Sequence, residues 1–304
     1  MSNKILLCQN GYFNPIRWDF LDIAYGSDSS QTLDIAIPKE KKEVHGIIYI
    51  HGGAYLMGDK SEYPSFLSNF IKDNVVATIN YRVINENNDI NMKDILSDIY
   101  SSLQKIMGLS KVNGVSIKDF ILVGHSAGGH VGLLYGYKYR IINKIAACVS
   151  LAGPTDFSDD SGWSSMSMWG KDLKTRLAFF SQVGSQLAGY TIKFTQGLYT
   201  RQKDYSEFKN YIMEISPITY VSKNEKTPPT LLVHARSDNQ VPYSNAVRMK
   251  SALDDAGMPN KLITTSGSAD NHLLGGVVLT EKSPFVFENQ AWVGEAVEWI
   301  ERRF

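Results

Sequence analysis

The chain has 304 residues, 43% of them hydrophobic and 20% charged, enough to bury a core without disulfides or structural metals. Its 31 Lys and Arg balance its 31 Asp and Glu, and no long basic run occurs, so nucleic-acid binding has no electrostatic footprint. The two cysteines, Cys8 and Cys148, favour no disulfide framework, no metal-ligand spacing is present, and no apolar run approaches bilayer length. The expectation is a cytoplasmic protein with no signal peptide, no membrane span, no metal and no cofactor. Cys148, inside the apolar run 145–151, reads as a buried thiol acting as a small hydrophobe.

Strands are predicted at 18–25 and 33–37, joined by a Gly-Ser-Asp-Ser-Ser turn that suggests an antiparallel hairpin at one sheet edge. A strand at 47–50 follows, then a helix at 64–71 opening on Pro64. After a strand at 75–79, the helix 92–107 carries Ile95, Ile99, Leu103 and Ile106 on one 3.6-residue stripe. Next come a strand at 120–123, a helix at 125–137 and a strand at 146–151. The last elements are strands at 230–234 and 261–264 and helices at 245–256 and 291–303. From residue 47 onward the strands are nearly continuous runs of Ile, Val and Leu, the composition of strands covered on both faces. Their alternation with helices implies right-handed βαβ units. The fold class is α/β: one domain over 1–304, with a mostly parallel central sheet of about eight strands flanked by helices.

Residues 158–215 break this rhythm. They hold Trp163, Trp169, Phe179, Phe180, Tyr190 and Phe194 among other aromatics. The segment is read as a helical cap over the C-terminal sheet edge, where open α/β sheets bind ligands. An ordinary surface helix pair is the alternative.

Gly124-His125-Ser126-Ala127-Gly128 joins a predicted strand to a predicted helix. Gly-x-Ser-x-Gly in that setting is a sharp turn that exposes a serine at a helix N-terminus, where free N–H groups favour developing negative charge. The pattern would arise by chance about 0.1 times in such a chain. His51-Gly52-Gly53-Ala54-Tyr55 follows another strand. Its glycines let backbone N–H groups face a site, as acyl transfer requires for its oxyanion. The N–H groups of Gly53, Ala54 and Ala127 are the expected donors, with the His51 ring holding the loop.

A serine needs a base. His45 precedes a strand in a polar turn, His125 and His130 are turned away by the elbow, and His234 reads as a satisfied core histidine. His272 sits in a polar loop after the last strand and is the expected base. In the chain order Ser…Asp/Glu…His, Asp238 follows the strand 230–234 and can accept the imidazole Nδ1–H. Asp156, after the preceding strand, is the rival; Asp254, Asp255 and Asp270 are placed less well. Tyr55, His125, Trp163 and Trp169 are expected to line a substrate pocket.

The motifs His-Gly-Gly-Ala-Tyr, Gly-His-Ser-Ala-Gly-Gly-His, Ser-Asp-Asn-Gln-Val-Pro and Asn-His resemble the esterase/lipase branch of the α/β-hydrolases. They are similar to bacterial feruloyl-esterase-like carboxylesterases and, more distantly, to the hormone-sensitive-lipase and kynurenine-formamidase groups. Leu33-Asp-Ile-Ala-Ile-Pro38 and Asn80-Tyr-Arg82 fit the same branch, from about residue 20 to the C-terminus. Ala54 departs from the lipase His-Gly-Gly-Gly pattern, although alanine keeps the N–H. The resemblance implies an α/β-hydrolase fold and a serine hydrolase of small to medium carboxylic esters, acting through an acyl-enzyme. An aryl formamidase would use the same residues. A non-enzymatic binding protein that kept the fold would be expected to lack the serine, the histidine or the acid, and none is missing.

Overall fold

The computed structural model describes residues 7–8, 11–12, 15–85, 88, 90–139, 144–159, 161–162, 212–222, 226–278, 283–287 and 290–304. Its central sheet has eight strands: β1 (Phe20–Ala24), β2 (Thr32–Ala36), β3 (Glu43–Ile50), β4 (Val75–Ile79), β5 (Ser116–His125), β6 (Ile145–Leu151), β7 (Thr230–Ala235) and β8 (Asn260–Thr265). They lie side by side in the order β8-β7-β6-β5-β3-β4-β2-β1. The strands from β3 to β8 are parallel, and β2 runs antiparallel to both β4 and β1. The expected mostly parallel sheet with an antiparallel edge hairpin is what forms.

Among the described residues four helices flank it: α1 (Met92–Val112), α2 (Ala127–Lys138), α3 (Tyr243–Asp255) and α4 (Ala291–Glu301). Successive strand residues point to opposite faces, and here both faces are dry. Along β3, Ile48 and Ile50 join the core beneath α1, α2 and α3, with Ile95, Ile99, Leu133 and Met249. Ile47 and Tyr49 join the core beneath α4, with Trp292, Trp299 and Ile300. Each such Ile or Leu contributes about 1.5–3 kcal/mol by leaving water, which is why the strands read as unbroken apolar runs.

The departures from expectation have local causes. β3 and β5 start four residues before their apolar runs, because Glu43 pairs with Ser116 through the backbone ladder alone. The first strand is shorter than predicted: its register shifts between Phe20 and Ile23, and Asp22 sits at φ 54°. The helix expected at 64–71 is a 3₁₀ turn, Ser65–Asn69, with Pro64 as its N-cap. The chain must reach β4 at Val75, and bonds from Phe70 N–H to Leu67 O and from Asp73 N–H to Phe70 O tighten it into turns. α1 outruns its prediction because an Asn91/Asp94 capping box starts it and nothing breaks it before Asn113-Gly114. α2 starts at Ala127 rather than at 125, because Ser126 cannot be helical at φ 52°, ψ −121°.

The expected cap, 158–215, lies outside the described residues apart from 158–159, 161–162 and 212–215. Trp163 and Trp169 are therefore outside them too. Among the described residues no helix is long and apolar enough to cross a membrane.

Candidate active site

Ser126 stands at the C-terminal end of β5, between the strand and α2. Its N–H donates to Leu151 O on the neighbouring strand at 2.8 Å, and its O accepts from His130 N–H at 3.1 Å. The turn needs glycine on both sides. A Cβ on Gly128 would lie 2.0 Å from Ile50 O, and one on Gly124 would lie 2.2 Å from Gly128 O. The start of α2 is thus pressed against the sheet, and Ser126 takes the strained φ that results.

His272 lies beyond β8, after the 3₁₀ turn Gly267–Ala269. Thr265 Oγ1 donates to Ala269 O at 2.7 Å, and Trp292 Nε1 donates to Leu274 O at 3.0 Å, so the loop is held at both ends. His272 Nε2 lies 2.9 Å from Ser126 Oγ, and its Nδ1 lies 2.8 Å from Asp238 Oδ2. Asp238 Oδ1 accepts the N–H groups of Gln240 and Val241 at 2.8 and 2.9 Å. Burial disfavours charge on Asp238, but hydrogen bonds from His234 and His272 outweigh it and hold the carboxyl well below the usual carboxylate range. The loop bearing the acid is also tied to the loop bearing the base: Ser237 N–H and Oγ donate to Asp270 at 3.0 and 2.8 Å.

The rival acid points elsewhere. Asp156 is fully buried, and its Oδ2 accepts from Arg248 Nε at 2.7 Å and Nη2 at 2.6 Å. Asp254 pairs with Lys250 on the surface.

The loop after β3 carries three successive residues in the left-handed region: Gly53 (φ 103°), Ala54 (φ 51°) and Tyr55 (φ 67°). This conformation costs non-glycine residues of order 1 kcal/mol or more each, so its surroundings must hold it. The His51 ring stacks on Tyr81 at 4.4 Å and donates from Nδ1 to Gly52 O at 2.7 Å. Tyr55 O accepts from Ile84 N–H at 2.8 Å, and its hydroxyl bonds His130 Nδ1 at 2.9 Å. Beyond the loop, the buried Lys60 amine lies 2.8 Å from Asp22 and 2.9 Å from Asp34. No acceptor among the described residues faces the N–H groups of Gly53 and Ala54. Ala127 N–H opens α2, where no intrahelical partner exists. Gly52 approaches the nucleophile closely: a Cβ there would lie 3.1 Å from Ser126 Cβ.

The remaining histidines brace the site or lie away from it. His125 Nε2 bonds His272 O at 3.0 Å and its ring packs on Phe285, so this expected pocket residue supports the base from beneath. Tyr55, the other described one, is buried with its hydroxyl engaged. His130 Nε2 bonds Ile215 O at 2.6 Å. His45 is buried and pairs with Asp119 at the start of β3, away from the site. His234 contacts Asp238, a link that sequence reading missed; the His-x-x-x-Asp spacing across a strand end was the available signal.

Burial pushes the His51, His125 and His130 imidazoles down to about 4, below the ordinary 6.5. The unfolded chain therefore takes up these protons first. The folded state loses stability as pH falls from about 6.5 towards 4, by of order 1–2 kcal/mol per ring at pH 5. Thermal melts should show a midpoint at least about 5 °C lower at pH 5 than at pH 7. A midpoint unchanged over that interval would contradict the neutral, buried state of these rings.

A family model described as BD-FAE matches residues 33–253. A probable isoprenylcysteine alpha-carbonyl methylesterase of Oryza sativa subsp. japonica is 24% identical over 273 residues, covering 84% of this chain and 59% of its own length. The chain thus spans about three-fifths of that curated relative. Among solved structures, a truncated carbohydrate esterase from gut microbiota superposes with a TM-score of 0.66 at 19% identity, over 93% of this chain and 95% of its own. Esterase B from Lactobacillus rhamnosis, inhibited by a C4-C4 SN3 tributyrin phosphonate, gives 0.65 at 16%, over 94% of this chain and 84% of its own. At such identities the structural likeness carries the fold alone.

Proposed function

The chain belongs to the BD-FAE family, and from that premise we propose that it is a serine esterase of the α/β-hydrolase fold. One observation carries the reading: His272 lies within hydrogen-bond reach of both Ser126 Oγ (2.9 Å) and Asp238 Oδ2 (2.8 Å). Ser126 Oγ attacks the ester carbonyl carbon while its proton passes to His272 Nε2. The carbonyl oxygen becomes an oxyanion, and the N–H groups of Gly53, Ala54 and Ala127 stabilise it. Asp238 stabilises the imidazolium and fixes its orientation. When the tetrahedral intermediate collapses, the C–O bond to the alcohol breaks and His272 returns the proton to the leaving oxygen. An acyl-Ser126 remains. Water, deprotonated by His272, then attacks the acyl carbon; the bond to Ser126 Oγ breaks, His272 returns the proton to that oxygen, and the acid leaves. Each donor acts where charge develops rather than on the resting ester, so it favours the transition state.

The substrate is a small or medium ester. The aromatic-rich segment 158–215 supports a bounded pocket rather than an open groove, and a short-chain phosphonate occupies the neighbouring esterase B. Acetyl to butyryl p-nitrophenyl esters should be cleaved best, with no jump in rate when substrate forms an emulsion. A panel running from acetyl to palmitoyl esters, with N-formyl anilides alongside, tests this. Equal or higher efficiency on emulsified long-chain triglycerides would point to a true lipase, and faster turnover of the formyl amides to a formamidase.

A further inference from the structure

His234 is the penultimate residue of β7, and its ring is 2% exposed. Nε2 lies 3.1 Å from Val241 O and 3.3 Å from Asp238 Oδ2. Both neighbours are acceptors, so Nε2 carries the proton and shares it between them. The oxygen it reaches is the one that accepts His272 Nδ1–H at 2.8 Å. The other oxygen, Oδ1, is held by two backbone N–H groups. Donors at Oδ1 alone would let the carboxylate swing about that end and carry Oδ2 away from His272. A donor on Oδ2 removes that freedom.

We infer that His234 is a positioning residue of the active site: its Nε2–H fixes Asp238 Oδ2 against His272 and shares the charge on that oxygen. This rests on the esterase reading above and adds to it a fourth side chain that acts only through the acid. Two backbone amides and the His234 imidazole then surround Asp238 where a solvent-exposed acid would have water. The other titratable and charged groups facing the pair are His272 and His125 on the base side and Tyr243 on α3, whose ring lies 6.0 Å from that of His234. Arg236 lies over the same Tyr243 ring. A ring present only for packing against Tyr243 would not need its proton at Nε2, and that difference separates the two roles.

His234→Leu keeps the volume and removes the donor, whereas His234→Gln places an amide N–H close to the position of Nε2. With p-nitrophenyl acetate, the Leu variant should lose about 10- to 100-fold in kcat with KM within about twofold. Its acid limb in kcat/KM should move up by about half a pH unit, since a carboxylate with fewer donors holds the imidazolium more strongly. The Gln variant should recover to within about threefold, with the limb in place. In an Asp238→Ala background the Leu change should add no further loss. If the Leu variant does not fold by circular dichroism, His234→Asn, whose shorter amide falls short of Oδ2, replaces it. Equal losses in the Leu and Gln variants without a pH shift, or wild-type kcat in the Leu variant, would overturn the inference. ¹⁵N spectra of histidine-labelled wild type, assigned with the Gln variant, should show His234 as the Nε2–H tautomer. An Nδ1–H tautomer would also overturn it. The spectra need no turnover: a wild type that cleaves no ester would sink the esterase reading and still leave the tautomer to decide whether His234 donates.

Discussion

Replacing Ser126 by alanine is expected to lower p-nitrophenyl acetate hydrolysis by about 10⁶, leaving a rate near background. The loss is this large because, in the proposed mechanism, the hydroxyl is the attacking atom, and among the described residues no other hydroxyl or thiol is hydrogen-bonded to His272. What should survive is binding and the proposed N–H donors of Gly53, Ala54 and Ala127, worth about 10³-fold over water. The fold should be indifferent to the change: among the described residues the Ser126 side chain bonds His272 Nε2 alone, and alanine tolerates φ 52° about as well as serine. A fluorophosphonate probe should label wild-type Ser126, which is only half-buried. Labelling at any other serine would displace Ser126 from the mechanism.

The second large effect belongs to the acid. Asp238→Asn should cut kcat by about 10⁴ while the protein remains folded. The amide is neutral, so the imidazolium formed during attack loses its counter-charge in a site too buried for water to replace it. The amide also offers a donor to His272 Nδ1, which favours the tautomer that cannot accept the Ser126 proton. Asp156→Asn should leave the rate within a few-fold and instead lower stability, because it breaks the contact with Arg248. Steady-state kinetics on the two variants side by side check the assignment; a dead Asp156→Asn beside an active Asp238→Asn would reverse it.

The elbow was legible because its cause is local. Gly124 and Gly128 sit in the sequence beside the serine they serve, and the strand before them and helix after them follow from periodicity. Asp238 and His272 were legible one step less directly, through the rule that loops at one sheet edge converge. Where the choice depended on where a side chain ends, sequence ran out. Asp156 and Asp238 both follow strands, and the donors of Arg248 on α3 and of Ser158 engage the Asp156 carboxylate elsewhere. The histidines show the same limit. His51 was placed correctly as a loop brace, since its glycine neighbours imply one. His125 was read as turned from Ser126 and as a pocket residue; its bond to His272 O crosses 147 residues, and no local pattern encodes it. His234 looked like a core histidine, which it is, with its partner hidden four residues on. The 3₁₀ turn at Ser65–Asn69 was read as a helix because apolar spacing is blind to how few residues remain before the next strand.

The strand order carries a consequence for how the protein is made. β6 lies in the middle of the sheet, between β5 and β7, yet nearly eighty residues separate Leu151 from Thr230. At translation rates of about 5–20 residues per second, the outer edge of β6 waits roughly 4–16 s for its partner to be synthesised. During that interval Ile145–Leu151 presents a row of unpaired amides and carbonyls on an apolar strand, the kind of edge that recruits other chains. The same order separates nucleophile from base, so a ribosome-bound chain already displays the Ser126 elbow while its base and acid have yet to emerge. On the proposed mechanism the nascent chain stays chemically silent until Asp238 and His272 have both been made, so the open edge of β6 precedes any activity.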